Sequence, residues 1–184
     1  ALHYDSSGFL WIVCFASRIY KYDGVNLIVY NSDDHKLPYS PRDIAEAPNG
    51  DILIVSKSTT CYDGETWSII SGNPLNASYV AVDTNGCIWT GRWKQEGGLT
   101  RYDGEKWETI RIENSISDDQ VFDVAIAPNG DIWAGTEYGL SRFDGEKWIQ
   151  YNESDGLPHI NITHVASGPD GSIWVATYVD FTGP

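Results

Sequence analysis

The chain has 184 residues, 41% of them hydrophobic and 13% aromatic, with eight Trp and eleven Tyr, enough to bury a core in one domain or part of one. A net charge of −14, from 26 acids against 12 bases, creates a field that repels nucleic acid and anionic lipid and excludes both as partners. No stretch approaches the ~18 apolar residues of a membrane span, so no membrane insertion is expected, and Cys14, Cys61 and Cys87 form neither a disulfide framework nor a zinc pattern.

In chain order, residues 1–30 form a first patterned unit. Gly8 precedes the apolar pair Leu10-Trp11, and Tyr22-Asp23-Gly24 closes a later turn. Cys14 lies in an apolar run and reads as a small buried side chain. The sequence opens inside this pattern with no charged n-region, so no signal peptide is expected in it. A long polar link, residues 31–43, leads to a second unit at about 44–70, with Gly50 before Ile52-Leu53 and Tyr62-Asp63-Gly64 before Trp67. The link 71–78 leads to a third unit, 79–110, which contains Ile88-Trp89, an insertion at 91–98 and Tyr102-Asp103-Gly104. The link 111–120 leads to the fourth unit, 121–151.

That fourth unit is the clearest. Residues 121–127 alternate apolar and polar positions, as a half-buried strand does. Pro128-Asn129-Gly130-Asp131 is a turn, with Asn-Gly supplying positive φ. Strands are predicted at 132–136, 140–143 and 147–151, with Asp144-Gly145 turning between the last two. After the link 152–162 a fifth unit, 163–184, holds two strands (164–167 and 173–178) around the turn Pro169-Asp170-Gly171.

The aromatic-Asp-Gly triplets at 22–24, 62–64, 102–104 and 143–145 are spaced 40, 40 and 41 residues apart. Four short strands per ~40 residues, repeated, mark the blade of a β-propeller. The fold class expected is therefore all-β: four complete four-stranded antiparallel blades (1–30, 44–70, 79–110 and 121–151) and half of a fifth (163–184), in a single propeller domain or fragment. Helical solenoids fail, because no segment carries a helical apolar period and Gly recurs in every unit. A half blade leaves an open sheet edge. A fragment of a longer propeller is the favoured reading; completion by a second copy, or a two-stranded last blade, are the alternatives.

The repeat separates scaffold from site. Trp11, Trp89, Trp133 and Trp174 share the strand-two position, and Trp67, Trp107 and Trp148 share that of strand four. They are expected to pack between blades. The Asp of each Asp-Gly serves a turn and not a calcium cage. The tight turns share one face of the blades. The two-to-three loops and inter-blade links share the other, and binding is expected on this linker face, around the mouth of the central channel. Its candidates are His35, Tyr39 and Arg42 from the first link, Tyr79 at the start of blade three, and Arg92, Trp93, Lys94 and Gln95 from the insertion. Asp118, Asp119 and Gln120, Tyr138, and His159, Asn161 and His164 complete them. Trp93 has no counterpart in the other blades. A Trp beside Arg and Gln suits a sugar, whose apolar face stacks on the ring while polar groups bind hydroxyls.

Gly130, Ile132-Trp133, Gly135-Thr136, Gly139-Leu140, Arg142-Phe143-Asp144-Gly145 and Trp148 closely resemble the two-component-regulator propeller repeat, G-x-[IL]-W-x-G-T-x-x-G-L-x-R-[YF]-D-G-x-x-W. Residues 86–107 match nearly as well, with an insertion at 93–96. Blades one and two depart: Leu27 stands where the last Trp belongs, and Ile52-Leu53 replaces Ile-Trp. The resemblance covers nearly the whole chain. It implies an extracytoplasmic (periplasmic or extracellular) sensor propeller of the kind found in hybrid histidine kinases, often responding to oligosaccharides, although no kinase segment is present in this sequence.

The function expected is thus a non-catalytic ligand-binding or sensor module for a carbohydrate or other small molecule. Its site residues are Trp93, Arg92, Gln95, Tyr39, Arg42, Tyr79, Tyr138, His159 and Asn161. No catalytic residue, metal ligand or cofactor is assigned, so the reading leans away from an enzyme. Two alternatives stay open. Streptogramin lyases and metal-dependent lactonases are related propellers, and such an enzyme would draw on Asp118, Asp119, His159 and His164. A structural or interaction propeller would instead pair its open blade edge with a protein partner or second copy.

Overall fold

Short alternating segments punctuated by Gly-closed turns can bury apolar side chains only as paired strands, and pairing is what the chain adopts. A computed structural model describes residues 1–14, 18–31, 37, 40–73, 76–92, 98–110 and 120–178. The first sheet is β1 (Leu2–Tyr4), β2 (Leu10–Cys14), β3 (Arg18–Tyr22) and β4 (Leu27–Asn31). The second is β5 (Asp43–Glu46), β6 (Ile52–Val55), β7 (Thr59–Tyr62) and β8 (Trp67–Ile70). The third is β9 (Tyr79–Val82), β10 (Ile88–Arg92), β11 (Gly98–Tyr102) and β12 (Trp107–Ile110). The fourth is β13 (Val121–Ile126), β14 (Ile132–Thr136), β15 (Gly139–Phe143) and β16 (Trp148–Tyr151). A two-stranded sheet, β17 (Ile162–Ser167) and β18 (Ile173–Thr177), follows a single 3-10 turn at Glu153–Asp155. Within every sheet each strand is hydrogen-bonded to its sequence neighbour.

The turns confirm the role of glycine and refine that of asparagine. Gly130 takes φ +90° and its N–H closes onto the Ala127 carbonyl at 2.8 Å. Asn129 keeps negative φ; its side-chain oxygen instead accepts the Asp131 N–H at 3.2 Å. The last sheet begins earlier than the sequence pattern suggests, at Ile162. A bulge at Thr163 is the reason, because it turns the Ile162 side chain inward, where it is fully buried.

The chain divides into two compact units, Ala1–Thr90 with Thr100–Glu108, and Gly91–Leu99 with Thr109–Pro184. In the first, Trp11 is fully buried and stacks on Tyr30 at 5.9 Å, while Trp67 from the second sheet meets it edge-on at 6.3 Å. Tyr62 closes the cluster. Blades one and two are wedged together by aromatic faces, as the repeat predicts. A second cluster in this unit joins Leu53 and Val55 to Val80 and Ile88. In the second unit Ala125, Leu140, Ile162 and Val165 form the core, with Trp133 stacked on Tyr151 at its margin.

Two expectations need correction. Trp174 holds the strand-two position but is 69% exposed, since no described strand covers that side of β18. Cys14 is half-buried and not enclosed, because it sits at the end of β2, paired with the exposed Arg18.

Candidate functional site

At one end of each four-stranded sheet lie the tight turns, and the carboxylates of the Asp-Gly turns are consumed by the turns themselves. Asp23 Oδ1 accepts the N–H groups of Val25 and Asn26, and Asp63, Asp103 and Asp144 repeat the arrangement. These donors, led by the Asn26 N–H, hold the Asp23 carboxyl down at about 2. The other three carboxyls are also lowered, by the same backbone bonds.

Two further aspartates do work that the sequence reading missed. Asp83 accepts the N–H groups of Asn85 and Cys87 through one oxygen and the Trp89 indole N–H, at 3.0 Å, through the other. Asp5 does the same for Ser7, Phe9 and Trp11. Burial opposes the charge on Asp5, but the Trp11 and backbone hydrogen bonds outweigh it and its carboxyl lies below the ordinary range. In blade four the equivalent position is Ala127, and the buried Trp133 indole N–H has no partner. The signal was present in sequence as an Asp six residues before the Trp, in two blades of four.

The other end of the sheets, where strands one begin and strands two finish, carries side chains that mostly differ from blade to blade, the aspartates Asp43 and Asp123 excepted. In the first unit, exposed Arg42 donates from Nη1 to Ser78 Oγ at 2.8 Å, beside half-buried Tyr79. Asp43 accepts the Val80 N–H at 2.9 Å; burial pushes its carboxyl above the ordinary range against that hydrogen bond. In the second unit, Asp123 likewise accepts the Val165 N–H at 2.9 Å. Tyr138 is 57% exposed on the loop between β14 and β15. His159 Nδ1 accepts the Asn161 N–H at 3.0 Å, which places the proton of the neutral ring on Nε2. The Asn161 carbonyl accepts the Tyr178 N–H at 3.0 Å. Gln120 donates to Glu137 at 2.6 Å, Arg92 ends β10 half-buried, and His164 is exposed with Nδ1 at 3.3 Å from Thr163 Oγ1. His35, Tyr39, Trp93, Lys94, Gln95, Asp118 and Asp119 lie outside the described residues. Among the described residues no three His, Cys, Asp or Glu gather as a metal site.

Sheets of four short strands in chain order, repeated along the chain, define the protein as a β-propeller. Solved structures share this fold. The extracellular domain of a hybrid two-component system from B. thetaiotaomicron superposes with a TM-score of 0.77 at 17% identity, over 95% of this chain and 26% of its own. A streptogramin B lyase gives 0.75 at 16% identity, over 95% of this chain and 60% of its own. PorZ, a surface component of the type-IX secretion system of Porphyromonas gingivalis, gives 0.71 at 20% identity, over 96% and 30%. The chain thus spans less than two thirds of each of these proteins, and at these identities the likeness is one of fold. No family model and no curated protein matches the sequence. No helix among the described residues is long and apolar enough to cross a membrane.

Proposed function

We propose that the chain is a non-catalytic, ligand-binding sensor propeller, acting outside the cytoplasm, that takes a carbohydrate or similar small polar molecule at the linker end of its sheets. The contrast between the two ends supports this reading most. The Asp-Gly turns spend their carboxylates on their own backbone. The linker end presents unrepeated side chains on a rigid frame, where binding groups usually sit. In the second unit Tyr138 offers an exposed ring, and His159 and Asn161 offer polar groups. By sequence Trp93, Arg92 and Gln95 join them. Arg42, Tyr79 and, by sequence, Tyr39 form the corresponding group of the first unit. Extracellular propellers of two-component systems share this fold, which is consistent with the sensor reading.

A glycan array followed by calorimetry tests it. Trp93→Ala and Tyr138→Ala should each weaken the best array ligand by at least about tenfold, or ~1.4 kcal/mol. Asp63→Ala, at a tight turn, should leave the affinity unchanged. Full affinity in both aromatic variants would remove the proposed site, and an array without binders would remove the carbohydrate.

A further inference from the structure

Blades two and four share an identical turn. Ala47-Pro48-Asn49-Gly50-Asp51 repeats as Ala127-Pro128-Asn129-Gly130-Asp131. The hydrogen bonds repeat as well: Gly50 and Gly130 N–H close onto Ala47 and Ala127 at 2.8 Å, and Asn49 and Asn129 side chains each accept the following Asp N–H at 3.2 Å. Blade four is therefore an internal control for blade two, and the difference that matters lies in the cross-strand pair that follows the turn.

In blade four Trp133 pairs across the strands with Arg142, whose guanidinium lies over the ring at 5.7 Å and binds Asp131 Oδ2 through Nε at 2.6 Å. Blade one places Lys21 opposite Trp11, 5.0 Å from its ring, and blade three places Arg101 over Trp89 at 5.8 Å. In blade two the same register holds Leu53 opposite Cys61. Both the indole and the cation are gone. Asp51 keeps its place, and the Cys61 thiol now reaches its Oδ2 at 3.6 Å. Among the described residues Asp51 has no ion pair. Burial first, and the Asp51 charge second, push the thiol up to about 12, so it stays a neutral, weak donor and brings no charge of its own.

Replacing Trp by Leu and Arg by Cys removes volume, and the space is open. A cleft of about 370 Å³ lies there, with Leu53, Ile70 and Ile88 along its apolar wall and Asp51, Cys61 and Asn85 among its polar groups. Its size falls in the range of small-ligand sites, about 300–1,000 Å³. An apolar slot ending in a carboxylate without a cation has lost what its sister blades carry in covalent form.

We propose that this cleft binds a small organic guanidinium or amidinium carried on a flat apolar body. The ligand's ring takes the place of the missing indole, and its planar cation takes the place of the missing Arg side chain on Asp51. A guanidinium suits the position better than an ammonium, because it is more weakly hydrated and its fork matches a carboxylate. The site is on the tight-turn end of the sheets and is independent of the proposed linker-end function.

Benzylguanidinium and its neutral isostere benzylurea are the probes, read by calorimetry, melting temperature and amide chemical shifts. The guanidinium should bind and raise the melting temperature, with shifts at Asp51, Cys61 and Asn85. The urea should bind at least about tenfold more weakly. Asp51→Asn should lose at least as much, while Asp131→Asn should not change binding. Cys61→Arg supplies the cation internally; it should abolish binding while keeping or raising the melting temperature, which separates occupancy of the cleft from damage to the fold. Equal affinity for urea and guanidinium, undiminished binding to Cys61→Arg, or no binding at millimolar guanidinium overturns the proposal.

Discussion

Asp83 shows how much one carboxylate can organise. Its oxygens accept two backbone N–H groups of the turn and the indole N–H of the buried Trp89, so its loss would remove the acceptor of three donors at once. Asp83→Ala should destabilise the protein by about 1–3 kcal/mol, and Asp83→Asn by less, since the amide retains one accepting oxygen. Denaturant midpoints measure both. The exposed Asp-Gly turns make a different prediction, about pH. Their folded carboxyl values lie below the unfolded value of 3.8, with Asp23 at about 2. Their contribution to stability is therefore complete above the unfolded value and is lost as pH falls through the folded one. Carboxyl NMR titrations should show Asp23, Asp63, Asp103 and Asp144 protonating below the ordinary range. Midpoints at the ordinary value would contradict the hydrogen bonding described.

Strand two shows how an element adapts to its neighbour. Val13 and Val55 occupy its fourth position in blades one and two, and Gly91 and Gly135 occupy it in blades three and four. A Cβ on Gly91 would lie 2.6 Å from Val121, and one on Gly135 would lie 2.7 Å from Ile162. Val121 and Ile162 each sit beside a bulge in the strand that meets the glycine. Gly135→Val should cost about 1–3 kcal/mol in an equilibrium unfolding experiment through overpacking, and Ile162→Ala in the same chain should recover part of it. Neutral behaviour of the single variant would show that β17 moves aside freely. Much at this scale was legible in sequence: the Gly-closed turns, the Asp-Gly triplets and the alternation placed the strands of the fourth and fifth units to within a residue or two. The bulges were not, because Phe122 and Thr163 look like ordinary alternating positions until their partners are known. The cleft was half legible. Ile52-Leu53 stands out where Ile-Trp belongs, but Cys61 becomes its neighbour only through cross-strand pairing eight residues away.

Across the molecule, equivalent residues are not equally important. Trp11 is fully enclosed by Tyr30, Tyr62 and Trp67, whereas Trp174, at the same repeat position, is 69% exposed. Trp11→Ala should cost about 3–5 kcal/mol, and Trp174→Ala should stay within about 0.5 kcal/mol, as surface changes do. Periodicity shows which positions a blade repeats but not which of them a neighbour covers. The linker end was the least legible region, because its links are long, unlike one another and without a periodic constraint. Sequence could name Arg42, Tyr138, His159 and Asn161 by exclusion from the repeat. It could not reveal that Arg42 holds Ser78, or that His159 accepts the Asn161 N–H.

An amide chemical-shift titration with the strongest oligosaccharide from the array tests the central claim, that the unrepeated side chains at the linker end form the site while the Asp-Gly turns are scaffold. The account predicts saturable shifts at linker-end residues such as Tyr138, His159 and Asn161, with the turns at Asp63 and Asp144 silent. Shifts confined to those turns, with the linker end unmoved, would contradict it.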